Sequence, residues 1–196
     1  MEFRLAAAAD AAGMAEIYAP IVASTPTSFE IDPPDAPEMR RRIDATLPTL
    51  PWLVCDCEGR VAGYAYASPH KTRAAYKWSV DTSVYVHSAF HRRGIGTALY
   101  KLLFEILTAQ GYFNAYAGVT LPNPGSVGLH ESLGFQRVGV YRRVGYKLGE
   151  WHDVGWWQRP LRRSDEVPGP TLALGDLQNH PSWHRLLTSG RSSGRH

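Results

Sequence analysis

The run His91-Arg92-Arg93-Gly94-Ile95-Gly96-Thr97 constrains this chain more than any other feature, because it joins a strand pattern to a long amphipathic helix pattern. Upstream, Val80 to Val86 is rich in β-branched and aromatic residues, which predicts a strand. Downstream, Leu99, Leu102, Leu103, Ile106 and Leu107 share one helical face, which predicts a helix from about Gly94 to Gln110 ended by Gly111. The glycines let the backbone turn tightly and present successive N–H groups. The helix start adds the positive end of its dipole, and Arg92 and Arg93 add mobile charge. Such a turn suits a pyrophosphate. Its spacing is neither the six-residue dinucleotide fingerprint nor a P-loop with its Lys-Ser/Thr pair. A tight turn with solvated arginines is the competing reading.

The rest of the chain reads as alternating short elements. Phe3 to Ala7 predicts a strand, and Asp10 a cap for a helix whose buried face is Met14, Ile17, Tyr18, Ile21 and Val22. Pro20 interrupts that helix, which predicts a kink or an early end. Met39, Ile43 and Leu47 predict a second helix. Trp52 to Cys57, the turn Glu58-Gly59 and Val61 to Ala67 predict a β-hairpin. Ala115 to Val119 reads as a strand, Ser126 to Leu133 as a short helix stopped by Gly134, and Gln136–Arg143 and Trp151–Arg159 as late strands.

Composition excludes several classes. The chain has 196 residues, 44% of them hydrophobic and 20% charged, with a net charge of only +3. That is an ordinary globular balance, without the concentrated basic face a nucleic-acid partner needs. No apolar run approaches the roughly 20 residues of a membrane span, and Met1-Glu2-Phe3-Arg4 lacks the layout of a signal peptide, so a cytoplasmic protein is expected. Cys55 and Cys57 alternate on one strand and point to the same face. Two soft ligands are too few for a metal site, so no metal is expected. From residue 162 onward Pro, Gly, Ser and Arg dominate, ending in Ser189-Gly190-Arg191-Ser192-Ser193-Gly194-Arg195, and a flexible tail over 162–196 is expected behind a domain over 1–161. The stretch Leu172 to Leu187 admits at most a turn of helix around Trp183.

The arginine-glycine bend resembles the acetyl-CoA pyrophosphate loop of the GNAT superfamily of N-acetyltransferases, Q/R-x-x-G-x-G/A, with His91 where Gln or Arg is usual. The run Asn123-Pro124-Gly125-Ser126-Val127-Gly128-Leu129-His130-Glu131 follows at a matching distance. It resembles the asparagine and helix that hold the pantetheine arm there; a helix cap is the plainer role for Asn123, compatible with the first. Ala74-Ala75-Tyr76-Lys77-Trp78, Ser83-Val84-Tyr85-Val86, Gly118-Val119-Thr120-Leu121-Pro122-Asn123 and Gly149-Glu150-Trp151-His152-Asp153-Val154-Gly155-Trp156-Trp157-Gln158 resemble the phosphinothricin acetyltransferases, over about Phe3 to Leu161.

The resemblance implies a mixed α/β (α+β) fold: a twisted, mostly antiparallel sheet with helices on both faces, split where acetyl-CoA enters. It implies Val84, Tyr85, Val86, Arg92, Arg93, Gly94, Ile95, Gly96, Thr97 and Asn123 on the cofactor side. Asp81, one methylene shorter than the family's Glu, and His130 are the implied catalytic pair, with the division between base and acid open. Phe29, Lys71, Arg73, Tyr76, Ser83, Tyr85, Thr120 and Val154 are implied around the acceptor, a small amine; Thr120 stands where the phosphinothricin enzymes carry Gly. A homodimer is the family's usual state. The readings are acetylation of a phosphinothricin-like α-amine, of methionine sulfoximine or sulfone or another small amine, or a non-catalytic acetyl-CoA-binding module.

Overall fold

Seven strands form one sheet in the order β1-β2-β3-β4-β5-β7-β6, in a computed structural model that describes residues 1–163, 165–181, 183 and 186. The strands are β1 (Glu2–Leu5), β2 (Trp52–Cys57), β3 (Arg60–Pro69), β4 (Ser79–Val86), β5 (Asn114–Leu121), β6 (Gln136–Lys147) and β7 (Glu150–Pro160). The helices are α1 (Ala11–Ser24), α2 (Ala36–Thr46), α3 (Ile95–Ala109), α4 (Pro124–Ser132) and α5 (Leu174–Gln178). Neighbouring strands run antiparallel except β4 and β5, which are parallel. The long amphipathic α3 provides the crossover that a parallel pair requires.

Period-two alternation on the strands serves two cores. On one face, Leu99, Leu102, Leu103, Ile106 and Leu107 of α3 pack with Leu53, Cys55, Ala65, Val80, Ala115 and Ala117. On the other, Met14, Ile17 and Val22 of α1 and Met39 and Ile43 of α2 cover Trp52, Val54 and Tyr64. Each fully buried aliphatic side chain contributes about 2 kcal/mol of transfer free energy. The hairpin turn at Glu58-Gly59 has both residues at positive φ, 56° and 80°, as a tight two-residue connection demands.

Three local expectations meet the structure differently. Pro20 lies inside α1, which continues to Ser24, so the helix does not end early there. Its side chain is exposed while Met14, Ile17, Tyr18 and Val22 bury the opposite face on both sides of it, so packing outweighs one missing N–H. Asp10 stands at the N-cap position of α1, but its side chain makes no cap hydrogen bond there. Its carboxylate instead accepts from the Ala7 backbone N–H at 2.7 Å and from Arg4 Nη1 at 2.7 Å, which ties β1 to the turn. Within the stretch expected to be a flexible tail, Leu174, Leu177 and Trp183 are buried in the α3-side core, while Val167 stays exposed. Gln110 Nε2 donates to the carbonyls of Thr49 at 2.8 Å and Leu172 at 2.9 Å, and Trp78 Nε1 to that of Gly169 at 2.7 Å. These sparse apolar residues, spread over ten positions, show no periodicity, yet they join the α3-side core. The Ser-Gly-Arg end, 187–196, lies outside the described residues.

Candidate active site

Pairing between β4 and β5 covers only Ser79↔Asn114, Val80↔Ala115 and Asp81↔Tyr116, although both strands run on. At the branch point Thr82 Oγ1 donates to the Tyr116 carbonyl at 3.2 Å, and Tyr100 of α3 brings its hydroxyl within 3.3 Å of the Thr82 carbonyl. A buried ring thus stands where the next rung of the ladder would form. Beyond it β4 stays paired to β3 through Val86, while β5 pairs with β7, so the sheet opens into a cleft. Ser83, Val84 and Tyr85 line one wall and Val119, Thr120 and Asn123 the other. The open edge of β4 can pair with an extended amide-bearing chain as another strand would.

The arginine-glycine bend closes one end of this cleft. Arg92 and Gly94 take positive φ, 61° and 74°, and Gly94 caps α3 without a side-chain bond. The Ala98 N–H reaches the Gly94 carbonyl at 3.0 Å, so the preceding N–H groups of Ile95, Gly96 and Thr97 have no intrahelical partner, and the first turn holds no acidic residue. Arg92 and Arg93 are exposed, the latter with its guanidinium 5.2 Å from the Phe90 ring centre. His91 Nε2 donates to the Val86 carbonyl at 3.0 Å and binds the bend to the end of β4. A Cβ on Gly96 would make only ordinary contacts, with Leu129 at 3.4 Å and Val86 at 3.7 Å. Free N–H groups, a helix dipole and two arginines fit a pyrophosphate.

On the far wall Asn123 Oδ1 accepts from the Ser126 N–H at 3.0 Å, capping α4. His130, on the same helix, is buried. Its Nδ1 lies 2.7 Å from the Ser126 carbonyl, which can only accept, so Nδ1 carries the proton and Nε2 accepts from the Tyr100 hydroxyl at 3.0 Å. Burial holds the imidazole below its usual pKa, and the bond to Ser126 opposes this in part. His130 is therefore neutral at pH 7 and engaged at both nitrogens. It sits on the α3 side of the sheet with Tyr100 and Phe135.

Asp81 lies on the opposite face. Along β4, Val80 and Val84 belong to the α3-side core, so Asp81, Ser83 and Tyr85 point to the other side, where Tyr85 packs against Tyr18 at 4.9 Å and Tyr64 at 5.3 Å. The two catalytic candidates thus flank the cleft from opposite faces. Asp81 Oδ1 is 2.6 Å from Nδ1 of His70, a residue the sequence reading missed. Burial pushes the Asp81 carboxyl up, while the hydrogen bond and charge of His70, and more weakly Lys71, pull it down. His70 stacks on Tyr116, with centroids 4.3 Å apart and planes at 13°. The register supplied the missed signal: Ser68 opposes Asp81, so His70, two residues on, reaches the same face diagonally.

Thr120 and Val154 are register partners on this face, beside Gly118 and Trp156. Lys71, Arg73 and Tyr76 stand exposed on the loop from β3 to β4, with the Tyr76 ring 6.0 Å from His70. Phe29 lies over Gly145, where a side chain would clash with it, and 6.3 Å from His152. The loop bearing Phe29 is held by Lys147, absent from the sequence reading, and by Tyr18, read there only as part of a buried helix face. Lys147 Nζ donates to the Val22 and Ser28 carbonyls at 2.6 and 2.7 Å, and the Tyr18 hydroxyl bonds Ser28 Oγ at 2.7 Å and Glu30 at 2.9 Å. Among the described residues no cluster of three or more His, Cys, Asp or Glu side chains is arranged to hold a metal, and no helix is long and apolar enough to cross a membrane.

Residues 3–156 match the family model described as an acetyltransferase (GNAT) domain. The chain is 41% identical over 170 residues to the phosphinothricin N-acetyltransferase of Streptomyces viridochromogenes, covering 87% of this chain and 91% of that protein. It is 32% identical over 167 residues to the L-methionine sulfoximine/L-methionine sulfone acetyltransferase of Pseudomonas paraeruginosa, covering 84% and 97% respectively. The crystal structure of a GNAT superfamily phosphinothricin acetyltransferase from Sinorhizobium meliloti in complex with AcCoA aligns with a TM-score of 0.81 at 35% identity, covering 85% of this chain and 92% of that one. With its split sheet and uncapped arginine-flanked helix start, and with these likenesses, the chain belongs to the GNAT family of N-acetyltransferases.

Proposed function

We propose that this enzyme transfers the acetyl group of acetyl-CoA to the α-amine of a small amino-acid analogue of the phosphinothricin type. The observation that carries this reading is the cleft between β4 and β5, with an anion-binding bend at one end and a carboxylate–imidazole pair on the face away from α3. The pyrophosphate rests on Arg92, Arg93 and the N–H groups of Ile95, Gly96 and Thr97. The pantetheine arm runs along Val84, Tyr85 and Val86, with Asn123 opposite. The thioester meets the acceptor where the strands part.

The acceptor binds on the Asp81 face, between Phe29, Ser83, Tyr85, Thr120 and Val154. Lys71, Arg73 and Tyr76 at its rim receive the anionic groups, since ammonium and guanidinium pair well with carboxylate or phosphinate oxygens. The attacking amine must first lose a proton, because its unperturbed pKa is about 8. Asp81 belongs to the unit that removes it. On the other face His130, through Tyr100, stands near the departing sulfur. Thr120 adds bulk beside the acceptor, which favours methionine sulfoximine or sulfone as the second substrate reading.

Residues 1–161 carry the chemistry. We further propose a cytoplasmic homodimer in which the exposed aromatics Tyr141, Tyr146 and Trp151 of the β6–β7 hairpin are covered by a second copy, and a role in resistance to toxic glutamate analogues. A thiol-release assay over amino acids and their phosphinate, sulfoximine and sulfone analogues tests the activity. Thiol release only with unrelated amines removes both named substrates. Coenzyme A binding with no release for any amine leaves a non-catalytic binding module.

A further inference from the structure

We propose that His70, oriented by Asp81, is the general base that takes the proton from the acceptor amine, so that the unit acting on the substrate is an Asp–His dyad rather than a lone carboxylate. The inference rests on the acetyltransferase reading above and names the proton acceptor within it.

Asp81 Oδ1 is engaged at 2.6 Å by His70 Nδ1, just below the usual range of charge-assisted N–H···O bonds. A carboxylate accepts, so Nδ1 carries the hydrogen and Nε2 keeps its lone pair. Nε2 has no hydrogen-bond partner among the described residues. The ring is also fixed in plane, flat against Tyr116 at 4.3 Å, with Tyr76 at 6.0 Å and Trp156 at 6.1 Å meeting it edge-on. A carboxylate that fixes tautomer and orientation, with the distal nitrogen left bare, is the arrangement by which an imidazole becomes an efficient base. The imidazole lies against Tyr116 and 6.1 Å from Trp156, the register partner of Gly118 on β5. His130, by contrast, has both nitrogens bonded within the protein.

The step balances without a further reagent. His70 Nε2 takes one proton from the acceptor ammonium. The freed lone pair attacks the thioester carbonyl carbon and forms the C–N bond. The C–S bond then breaks, the sulfur takes the electron pair, and the second amine proton goes to the thiolate. His70 returns its proton to solvent.

The test compares wild type with His70→Gln, His70→Ala and Asp81→Asn, using whichever amine the wild type acetylates. His70→Gln is expected to lower kcat by about 100-fold or more with the KM for acetyl-CoA within twofold. Added imidazole should restore part of the rate to His70→Ala, which a structural role would not allow. The acid limb of kcat/KM should move toward the acceptor's own pKa in His70→Gln. The titratable or charged groups facing His70 are Asp81 from β4, Tyr116 from β5, and Lys71 and Tyr76 from its own loop, and all four remain in that variant. Asp81→Asn should lower kcat as well, because an amide donor can turn the imidazole to the wrong tautomer. A folded His70→Gln with kcat within threefold of wild type and an unmoved acid limb overturns the proposal while leaving the acetyltransferase reading intact. Turnover restricted to unrelated amines removes the substrate reading and leaves this test standing. No turnover with any amine removes both.

Discussion

Lys147 and Ser28 are 119 residues apart in sequence, yet the Lys147 ammonium donates to the Ser28 carbonyl at 2.7 Å in a site almost sealed from solvent. The same nitrogen reaches the Val22 carbonyl at 2.6 Å. One side chain from β6 thus fixes the exit of α1 and the loop that carries Phe29 over Gly145. Lys147→Met keeps the stem but leaves two carbonyls without a donor, at a cost of about 2 kcal/mol. We expect a higher KM for the acceptor and a lower melting temperature, with the KM for acetyl-CoA unchanged. Steady-state kinetics in both substrates check this, and an unchanged acceptor KM would free the loop of any role.

Arg93 flanks the uncapped start of α3. Arg93→Ala is expected to raise the KM for acetyl-CoA about tenfold, one charge-assisted contact at an exposed site, and to leave kcat at saturation nearly intact. An unaltered constant counts against the pyrophosphate assignment.

Thr120 is buried opposite Val154, on the wall where the strands part. Thr120→Gly should widen the acceptor side and raise kcat/KM for phosphinothricin relative to methionine sulfone, at about 1 kcal/mol in strand stability. Measuring both acceptors side by side gives the ratio, and a constant ratio would place Thr120 outside the acceptor pocket.

His130 couples the fold to pH. Its folded pKa lies below the ordinary 6.5, so below about pH 6.5 the unfolded chain binds a proton that the folded chain refuses. Its contribution is therefore present above that pH and is lost as pH falls toward the depressed folded value. His130→Gln removes the titration, and the variant should lose less stability than wild type between pH 7.5 and 5.5. Urea midpoints at the two pH values decide it; equal losses would mean that His130 titrates normally.

Leu174 lies beyond the region matched by the family model and is fully buried. Leu174→Ala should cost about 2–4 kcal/mol, a typical buried leucine truncation. A loss under about 0.5 kcal/mol in chemical denaturation would mean that this segment is not docked in solution.

The helix faces of α1, α2 and α3, the hairpin of β2 and β3, and the glycine bend were all legible in the sequence. They follow from local periodicity and from backbone angles that only a few residue types adopt. The shape of the arginine-glycine bend was legible for the same reason, because it lies on one continuous strand–turn–helix run. What the sequence could not settle was anything that depends on which strands become neighbours. The antiparallel register of β3 on β4 brings His70 to Asp81, the crossing of α3 brings the Tyr100 hydroxyl to Thr82 and His130, and the length of β6 carries Lys147 back to the end of α1. Packing likewise overrode the helix-breaking tendency of Pro20 and drew Leu174 and Leu177 onto the core. Local propensity acts over a few residues, whereas these contacts are set by strand pairing and by the burial of surfaces far apart in the chain.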